Sequence, residues 1–398
     1  MRDIILITSN GYAGPGLSTV LAAVLAEAGA SLLDIRQNRI QGLVSLGLVA
    51  ELPVEHELSV LTETLERRAA ERGARLHVAR LDASSYATWQ AAEASPRHIL
   101  TLMSRHIEAA QVQRVGELVE AQGLSIERIE PLSAPGARGR AALEFTLVGE
   151  PADPEALRAA FFSVTQELNM DIGYQADTLF RRHRRLAVFD MDSTLIQAEV
   201  IDELAKAAGI GERVAAITER AMRGELDFRA SFKERLALLK GLPESVLEDI
   251  GAGLRLSEGA EHLFAELKRL GYKTAILSGG FTYFARQIQA RLGIDYVFAN
   301  ELETVDGKVT GVAVEPIVDA QRKADLLREL AMKEGVSLEQ TIAVGDGAND
   351  LPMLALAGLG VAFRAKPLVR QSARQSITTL GLDGVLYLLG VRDRDGTS

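Results

Sequence analysis

Residues 186–195 have the sequence LAVFDMDSTL, and this stretch decides the fold. Its four leading apolar residues predict a buried strand of a parallel sheet. The strand ends in two carboxylates, Asp190 and Asp192, which are followed by hydroxyl side chains. Because open α/β sheets bind ligands beyond the carboxyl ends of their strands, we expect both acids in that crevice, sharing one cation. Taken alone, the same residues also fit the N-cap of a helix.

Three later segments favour the first interpretation, because each places polar groups where an apolar run or a hairpin ends. Residues 274–277 run into Ser-Gly-Gly at 278–280, and residues 341–344 run into Gly-Asp-Gly-Ala-Asn-Asp at 345–350. Lys323 opens a helical stretch after a predicted hairpin. Acids at two strand ends, a serine at a third and a lysine form a set suited to phosphate and magnesium.

In their order along residues 186–350, these motifs resemble the haloacid dehalogenase superfamily of aspartyl-phosphate enzymes. The resemblance implies an α/β domain with a doubly wound parallel sheet over residues 181–398, with a helical cap inserted at about 199–255. It also implies a Mg²⁺ cofactor held by Asp190, Asp346 and the main-chain carbonyl of Asp192, with Asp350 behind them. The groups implied to contact the phosphoryl group are Ser278, Gly279, Gly280, Lys323 and Asn349, the last of which could instead hold Lys323.

Hydrolysis of a phosphate monoester needs a nucleophile, a proton for the leaving oxygen and cations on the phosphoryl oxygens. Asp190 is the candidate nucleophile, and Asp192 is the candidate acid that protonates the leaving oxygen and then activates water. Two carboxylates facing a dianionic phosphate would repel it without a metal, so Mg²⁺ is expected. A dehalogenase has no alkoxide to protonate, so the second acid favours a phosphatase or phosphotransferase.

The substrate-selecting residues are similar to those of phosphoserine phosphatases. Glu199 stands nine residues after Asp190, and the resemblance implies that it meets the ammonium of a small phosphorylated amino acid. Arg235 is implied to bind the carboxylate, for which a bidentate guanidinium is well suited. Met222 and Phe228 match the apolar wall of the pocket. The implied reaction is hydrolysis of O-phospho-L-serine to L-serine and phosphate, the last step of serine biosynthesis.

The sequence leaves other interpretations of Glu199, of Arg235, of the substrate and of the function open. Glu199 also fits an acid favoured by the helix dipole in a first turn, and Arg235 fits a surface partner of Ser231 or Leu239. Another small phosphomonoester, such as phosphohomoserine or phosphoglycolate, would suit the same core. A regulatory protein that senses amino acids through a vestigial phosphatase core is the alternative from another class.

Residues 1–180 contain an internal repeat, with the order βαββαβ predicted for residues 1–95 and again for 96–180. These ferredoxin-like units resemble ACT domains, and residues 15–18, Pro-Gly-Leu-Ser, resemble the ligand-binding turn of that family. An amino-acid effector is therefore expected at the first unit, if at either. Ala13 and Gly14 replace the usual acid and arginine, and residues 108–110 lack glycine, so packing or dimerisation is an equal alternative. Exposed sheet edges favour a homodimer.

The composition of the chain indicates which partner molecules and which cellular location to expect. A formal net charge of −10 argues against nucleic acid, and the absence of cysteine excludes disulfides and thiolate chemistry. The N-terminus begins without an apolar signal segment, and residues 351–363 are too short to span a bilayer. The sequence thus predicts a cytoplasmic protein without a membrane partner. The basic run 181–185 is expected to be a solvated linker, with His183 exposed.

Overall fold

The computed structural model describes residues 3–12, 16–53, 57–137 and 139–395, except for the side chain of Met222. The chain divides into two compact units, Met1–Ser95 and Pro96–Ser398. Across the described ranges, every helix is too short or too polar to traverse a lipid bilayer.

The first unit is a four-stranded antiparallel sheet in the order β2-β3-β1-β4, with α1 and α2 packed on its apolar face. The predicted βαββαβ order is confirmed, whereas the additional helix α3 was not predicted. Residues 13–15 of the predicted effector-binding turn lie outside the described residues. The elements are β1 (Asp3–Gly11), α1 (Leu17–Glu27), β2 (Ser31–Ile40), β3 (Leu43–Leu52), α2 (Leu58–Ala70), β4 (Ala74–Leu81) and α3 (Ala83–Ala94).

The second unit begins with a repeat of the same design, as predicted. Its antiparallel sheet has the order β6-β7-β5-β8, and its core joins both helices to the sheet through residues such as Val115, Phe145 and Phe161. The elements are β5 (Arg97–Ser104), α4 (Ala109–Ala121), β6 (Ser125–Pro131), β7 (Ala141–Val148), α5 (Pro154–Glu167) and β8 (Asp171–Ala176).

A six-stranded parallel sheet follows, preceded by a short 3-10 helix at Leu179–Arg182. Four helices come directly after its first strand, where the helical cap was predicted. The elements are β9 (Leu186–Phe189), α6 (Val200–Ala207), α7 (Gly211–Met222), α8 (Phe228–Ala237), α9 (Ser245–Gly253), α10 (Ala260–Arg269), β10 (Lys273–Phe281), α11 (Thr282–Leu292), β11 (Tyr296–Asn300), β12 (Leu302–Val305), β13 (Lys308–Ala313), α12 (Ala320–Glu334), β14 (Thr341–Gly345), α13 (Leu351–Leu356), β15 (Leu359–Phe363), α14 (Pro367–Ser372), β16 (Gln375–Ile377) and α15 (Gly384–Leu388).

The strand order β11-β10-β9-β14-β15-β16 places β9 between β10 and β14. All pairings in this sheet are parallel, and Phe189 at the end of β9 is in register with Ile276 on one side and Val344 on the other. The polar loops that follow these three strands therefore leave the sheet at one edge. Separate apolar clusters cover its two faces. The predicted doubly wound α/β fold with a helical cap is confirmed. The domain boundary at 180/181 and the limits of the cap, at about 199 and 255, stay predictions.

The expectation of a solvated basic linker is wrong for two of its five residues. Arg181 is 1% exposed and forms an ion pair with the buried Glu144 of β7. Arg184 is also buried and donates a hydrogen bond to the carbonyl oxygen of Arg181 at 2.6 Å. A pattern of charge along the chain cannot reveal such burial, because the partner carboxylate lies on a distant strand. His183 is exposed, as expected.

Candidate active site

Lys323 lies at the centre of the polar groups beyond the sheet. It occupies the first turn of α12 and is fully buried. Its Nζ lies 2.9 Å from Asp190 Oδ1 and 2.7 Å from Asp350 Oδ1. Burial alone lowers the pKa of this ammonium, but the charges of the two carboxylates outweigh it and raise the pKa above its ordinary value. The lysine is therefore a fixed positive charge.

Three carboxylates converge on this lysine. Oxygen atoms of Asp190, Asp346 and Asp350 all lie within 4.8 Å of one another. Burial and the charge of Asp350 raise the pKa of Asp190 well above its usual range, and the same two causes raise that of Asp346 to about 7. Thr194 Oγ1 donates a hydrogen bond to Asp346 Oδ1 at 2.8 Å, which orients that carboxylate. One lysine cannot neutralise three ionised acids, and a further cation would favour their charged forms.

This donor set fits a divalent cation. Asp350 is already committed, because Oδ1 accepts from Lys323 while Oδ2 accepts from the main-chain N–H of Asp346 and of Gly347 at 3.1 and 2.9 Å. Asp190 and Asp346 retain oxygen atoms for a metal. Mg²⁺ is typically bound through one or two carboxylates together with phosphate and water. Asp350 instead holds the lysine and the loop, and its place behind the metal ligands stays a prediction.

Asp192 lies against residues 278–280, an irregular segment in the last part of β10 that is called the 278–280 loop here. Its Oδ1 accepts a hydrogen bond from Val200 N at 3.2 Å, at the start of α6. Its Oδ2 lies so close to Gly280 that a Cβ atom there would be 2.4 Å away. Burial, then the charges of Glu199 and Asp190, raise the pKa of Asp192 well above its ordinary value. The upward shift favours the protonated form of this carboxyl group, as a general acid requires.

The loop at 278–280 is held in place from two directions. Ser278 is fully buried, and its Oγ accepts a hydrogen bond from Gly280 N at 2.9 Å. Asn300, at the end of β11, donates from Nδ2 to the carbonyl oxygen of Gly279 at 2.8 Å and accepts at Oδ1 from Val318 N at 2.7 Å. Asn300 was not singled out in the sequence. The sequence does contain a signal for it. Asn300 is a polar residue at the end of an apolar strand, like the polar residues of the three motifs recognised above.

The cap supplies an apolar cover for this loop. A Cβ atom on Gly279 would lie 3.0 Å from Phe228 Cζ, and Phe228 stacks on Phe232 with ring centroids 6.2 Å apart. The first turn of α8 therefore lies over the 278–280 loop. Met222 belongs to α7, and its side chain lies outside the described residues.

Two charged cap residues border the same region. Glu199 is exposed, and its Oε1 accepts a hydrogen bond from Ser193 Oγ at 2.7 Å. Arg235 is half-buried, and its Nε donates to the carbonyl oxygen of Ser231 at 3.3 Å, the helical partner that the sequence left open. Burial lowers the pKa of Arg235, whereas the charges of Asp202, Glu199 and Asp192 act against that shift.

The hydrogen bond from Nε is the one found for the guanidinium of Arg235 within the described part of the chain, where it forms no ion pair. Asn349 is half-buried in the loop after β14, with its Oδ1 close to Gly347. The lysine is held by Asp190 and Asp350 rather than by Asn349, which leaves the carboxamide available to a phosphoryl group.

The chain is similar to known families and proteins. Residues 187–355 match the family model of haloacid dehalogenase-like hydrolases, and residues 3–79 match that of ACT domains. Phosphoserine phosphatase SerB2 of Mycobacterium tuberculosis is 41% identical over 390 residues, which cover 97% of this chain and 93% of that protein. A phosphoserine phosphatase of Streptomyces coelicolor is 45% identical over 295 residues, covering 74% and 71% of the two chains.

A solved structure shares the fold as well. The crystal structure of a probable phosphoserine phosphatase from Vibrio cholerae matches with a TM-score of 0.60 at 38% identity, covering 74% of this chain and 86% of that one.

Proposed function

We propose, since the chain belongs to the phosphoserine phosphatase family, that it hydrolyses O-phospho-L-serine to L-serine and phosphate. The observation that carries this proposal is the ion pair of Lys323 with Asp190, beside an Asp192 carboxyl group with a raised pKa. It brings together a nucleophile, a fixed cation and a proton donor, which are the groups that the reaction requires.

Asp190 is the proposed nucleophile. Its Oδ1 is occupied, since it accepts from Met191 N at 2.7 Å and faces Lys323 Nζ at 2.9 Å. Oδ2 forms no hydrogen bond within the described residues, so it is the oxygen that attacks phosphorus. The bond from phosphorus to the serine oxygen breaks as the Asp190–phosphorus bond forms, which gives an aspartyl-phosphate. Lys323 and the N–H groups of the 278–280 loop stabilise the charge on the phosphoryl oxygens.

Asp192 is the proposed general acid and base. In its protonated form it gives the proton to the serine oxygen as that bond breaks. The resulting carboxylate then accepts a proton from the water that attacks the aspartyl-phosphate, which releases phosphate and regenerates both acids. The closeness of its Oδ2 atom to Gly280, in the 278–280 loop, supports this role.

The protein is also proposed to bind Mg²⁺. Asp190, Asp346 and the main-chain carbonyl of Asp192 are the groups that would hold the ion. When bound, Mg²⁺ supplies positive charge to the phosphoryl oxygens. The excess of carboxylates over lysine supports this assignment. Thermal unfolding with Mg²⁺ and with a chelator tests it: we expect Mg²⁺ to raise the melting temperature of the native protein but not of an Asp346→Asn variant. An equal rise in both would remove Asp346 from the ligand set.

Glu199 and Arg235 are the proposed charge clamp for the amino acid. A small substrate such as phosphoserine offers little apolar surface, so its ammonium and carboxylate must supply the selectivity. Glu199 is exposed to receive the ammonium, and Arg235 has unpaired N–H groups for the carboxylate. Phe228 closes the pocket above Gly279, and we assign Met222 to the same wall from the sequence alone.

A phosphate-release assay on phosphoserine, phosphohomoserine, phosphoglycolate and a nitrophenyl phosphate tests the substrate. Arg235→Gln should lower kcat/KM for phosphoserine by roughly 10- to 100-fold, as expected for a lost charge-assisted hydrogen bond, and should spare the aryl ester. Arg220→Gln is the matched control, because Arg220 lies on α7 and pairs with Glu234 on the cap surface. Equal losses on both esters, or equal turnover of phosphoglycolate by the native protein, would contradict the clamp.

Several parts of the proposal rest on the sequence alone. They are the cytoplasmic location, the homodimer and the amino-acid effector of the first ferredoxin-like unit. The competing hypothesis, a sensor with a vestigial core, requires that the purified protein with Mg²⁺ leave phosphoserine intact.

A further inference from the structure

A cavity of about 540 Å³ lies within the second unit, between the second ferredoxin-like repeat and the edge of the parallel sheet. On one side its wall is formed by α5 and β8, and on the other by α14 and β16. Two hydrogen bonds connect the walls. The Gln375 carboxamide accepts from Tyr174 N at 2.9 Å and donates to the Tyr174 carbonyl oxygen at 2.6 Å. None of the residues that line it belongs to the candidate active site.

The charge on the cavity wall is predominantly positive. Arg158, Arg370 and Arg374 line it, and none of them forms an ion pair with the residues that the structure describes. Asp171, also in the wall, is not paired with any of these arginines, since its two oxygens accept hydrogen bonds from the main chain and hydroxyl groups of Thr378 and Thr379. Glu155 is the remaining wall carboxylate. Three guanidinium groups are therefore present with two carboxylates, so the wall carries a net positive charge.

The rest of the wall is apolar and aromatic. Phe161 and Phe162 from α5 and Ala373 after α14 line the cavity. The Arg370 guanidinium lies over the Phe162 ring at 5.6 Å from its centroid, so the cation and the ring are presented side by side. Cavities of about 300–1,000 Å³ with apolar walls and a few polar groups are typical of small-molecule sites.

Three polar atoms of this wall lack a partner within the described structure. Tyr174 Oη, Ser376 Oγ and Arg370 Nε are buried and form no hydrogen bond there. Burial also raises the pKa of Tyr174 to about 12, so the hydroxyl group remains a donor. Buried polar atoms are normally hydrogen-bonded, and these three exceptions all belong to residues that line this one cavity.

We propose that this cavity binds a small organic anion, with its oxyanion group at Arg370 and Arg374 and its apolar body against Phe161 and Phe162. The anionic group can be a carboxylate or a phosphoryl-type group, since guanidinium binds both. Such a ligand contacts the ferredoxin-like repeat and the edge of the catalytic sheet at once. The site differs from the turn at residues 15–18, which belongs to the first unit.

Isothermal titration of the full-length protein tests the proposal with three probes: 3-phenylpropionate, phenylphosphonate and the neutral 3-phenylpropionamide. We expect at least one anion to bind with a Kd of about 1 mM or tighter, and the amide to bind at least about tenfold more weakly. The preference between the two anions identifies the oxyanion group.

Variants locate the site. Arg370→Gln and Arg374→Gln should each weaken binding of the anion by about tenfold. Arg114→Gln removes the same charge from an exposed pair with Glu117 on α4, outside the cavity, and should leave binding unchanged. Arg235→Gln should also leave it unchanged, which separates this cavity from the candidate active site. Turnover of phosphoserine by each cavity variant shows that it is folded.

Four results would overturn the proposal. They are no binding of either anion at about 10 mM, equal binding of the amide, unchanged binding in both cavity variants, or loss of binding in Arg235→Gln.

Discussion

Replacing Gly280 by alanine tests whether Asp192 is the proton donor, while the side chains of Asp190 and Asp192 keep their chemical identity. An ideal Cβ at position 280 would lie 2.4 Å from Asp192 Oδ2, 3.0 Å from Met191 Cε and 3.1 Å from Ser278 Oγ. Ordinary carbon–oxygen contacts lie at about 3.3–3.6 Å. The methyl group must therefore displace the Asp192 carboxylate by roughly 1 Å, and a displacement of that size in a catalytic group costs about 10²-fold in rate.

The expected result is a fall of about 10²-fold in kcat for phosphoserine, within the ~10²–10⁴-fold contribution that general acid–base catalysis makes. A nitrophenyl ester should lose much less, because its leaving group departs without a proton. Initial rates on the two esters give the comparison directly. Equal losses on both esters, or a kcat for phosphoserine within about threefold of the native value, would refute the role assigned to Asp192.

Gly279→Ala is the matched control for this experiment. Its Cβ would meet the Cζ atom of Phe228 at 3.0 Å, at the end of an aromatic side chain that can rotate away. We expect this variant to change KM more than kcat, since Phe228 belongs to the part of the cap that is proposed to cover the substrate. Comparison of the melting temperatures of the two variants accounts for any general effect of adding a methyl group to the loop.

Three further perturbations have defined outcomes. Lys323→Met leaves buried carboxylates without their partner, so the free energy of unfolding in urea with a chelator should fall by about 3–5 kcal/mol; a loss below about 1 kcal/mol would contradict the described ion pairs. Thr194→Val removes the hydrogen bond to Asp346, so the Mg²⁺ concentration for half-maximal activity should rise about 10- to 100-fold, and an unchanged value would exclude this orienting role. Glu258 bridges Arg105 and Arg364, and the hydrogen bond from Arg105 lowers its pKa from 4.5 to about 2. The stabilisation of the folded state by ionised Glu258 is therefore present above pH 4.5 and is lost as the pH falls towards 2. Glu258→Gln should destabilise by about 1 kcal/mol or less at pH 7, with a deficit that shrinks below pH 4.5; a deficit independent of pH would point to packing instead.

The sequence predicts the parallel sheet and the convergence of its loops because both follow from local patterns. Apolar runs that end in polar residues define β9, β10 and β14, and the parallel register then brings Asp190, Ser278 and Asp346 to one edge. No long-range information beyond the fold class is needed for that step.

Contacts between distant residues could not be predicted in this way. Thr194 and Asp346 are 152 positions apart, and nothing in either motif indicates that the hydroxyl group binds the carboxylate. Asn300 bridges Gly279 and Val318 through a single side chain, a role that depends on the path of three separate segments. The short strand β16 is likewise defined by its neighbours rather than by its three residues.

The position of Lys323 explains why the site needs these distant contacts. A buried ammonium between two carboxylates is stable only if all three groups are fixed, because desolvation of charged groups is compensated only at close range. Asp350 meets this need by holding the lysine with one oxygen and the 346–347 main chain with the other. The same residue thus fixes the positive charge and the loop that carries Asp346, so a shift in either would move both. In the proposed reaction, a bound phosphoryl group would meet a cation that is already in position, so its charge would be stabilised without a rearrangement of the protein.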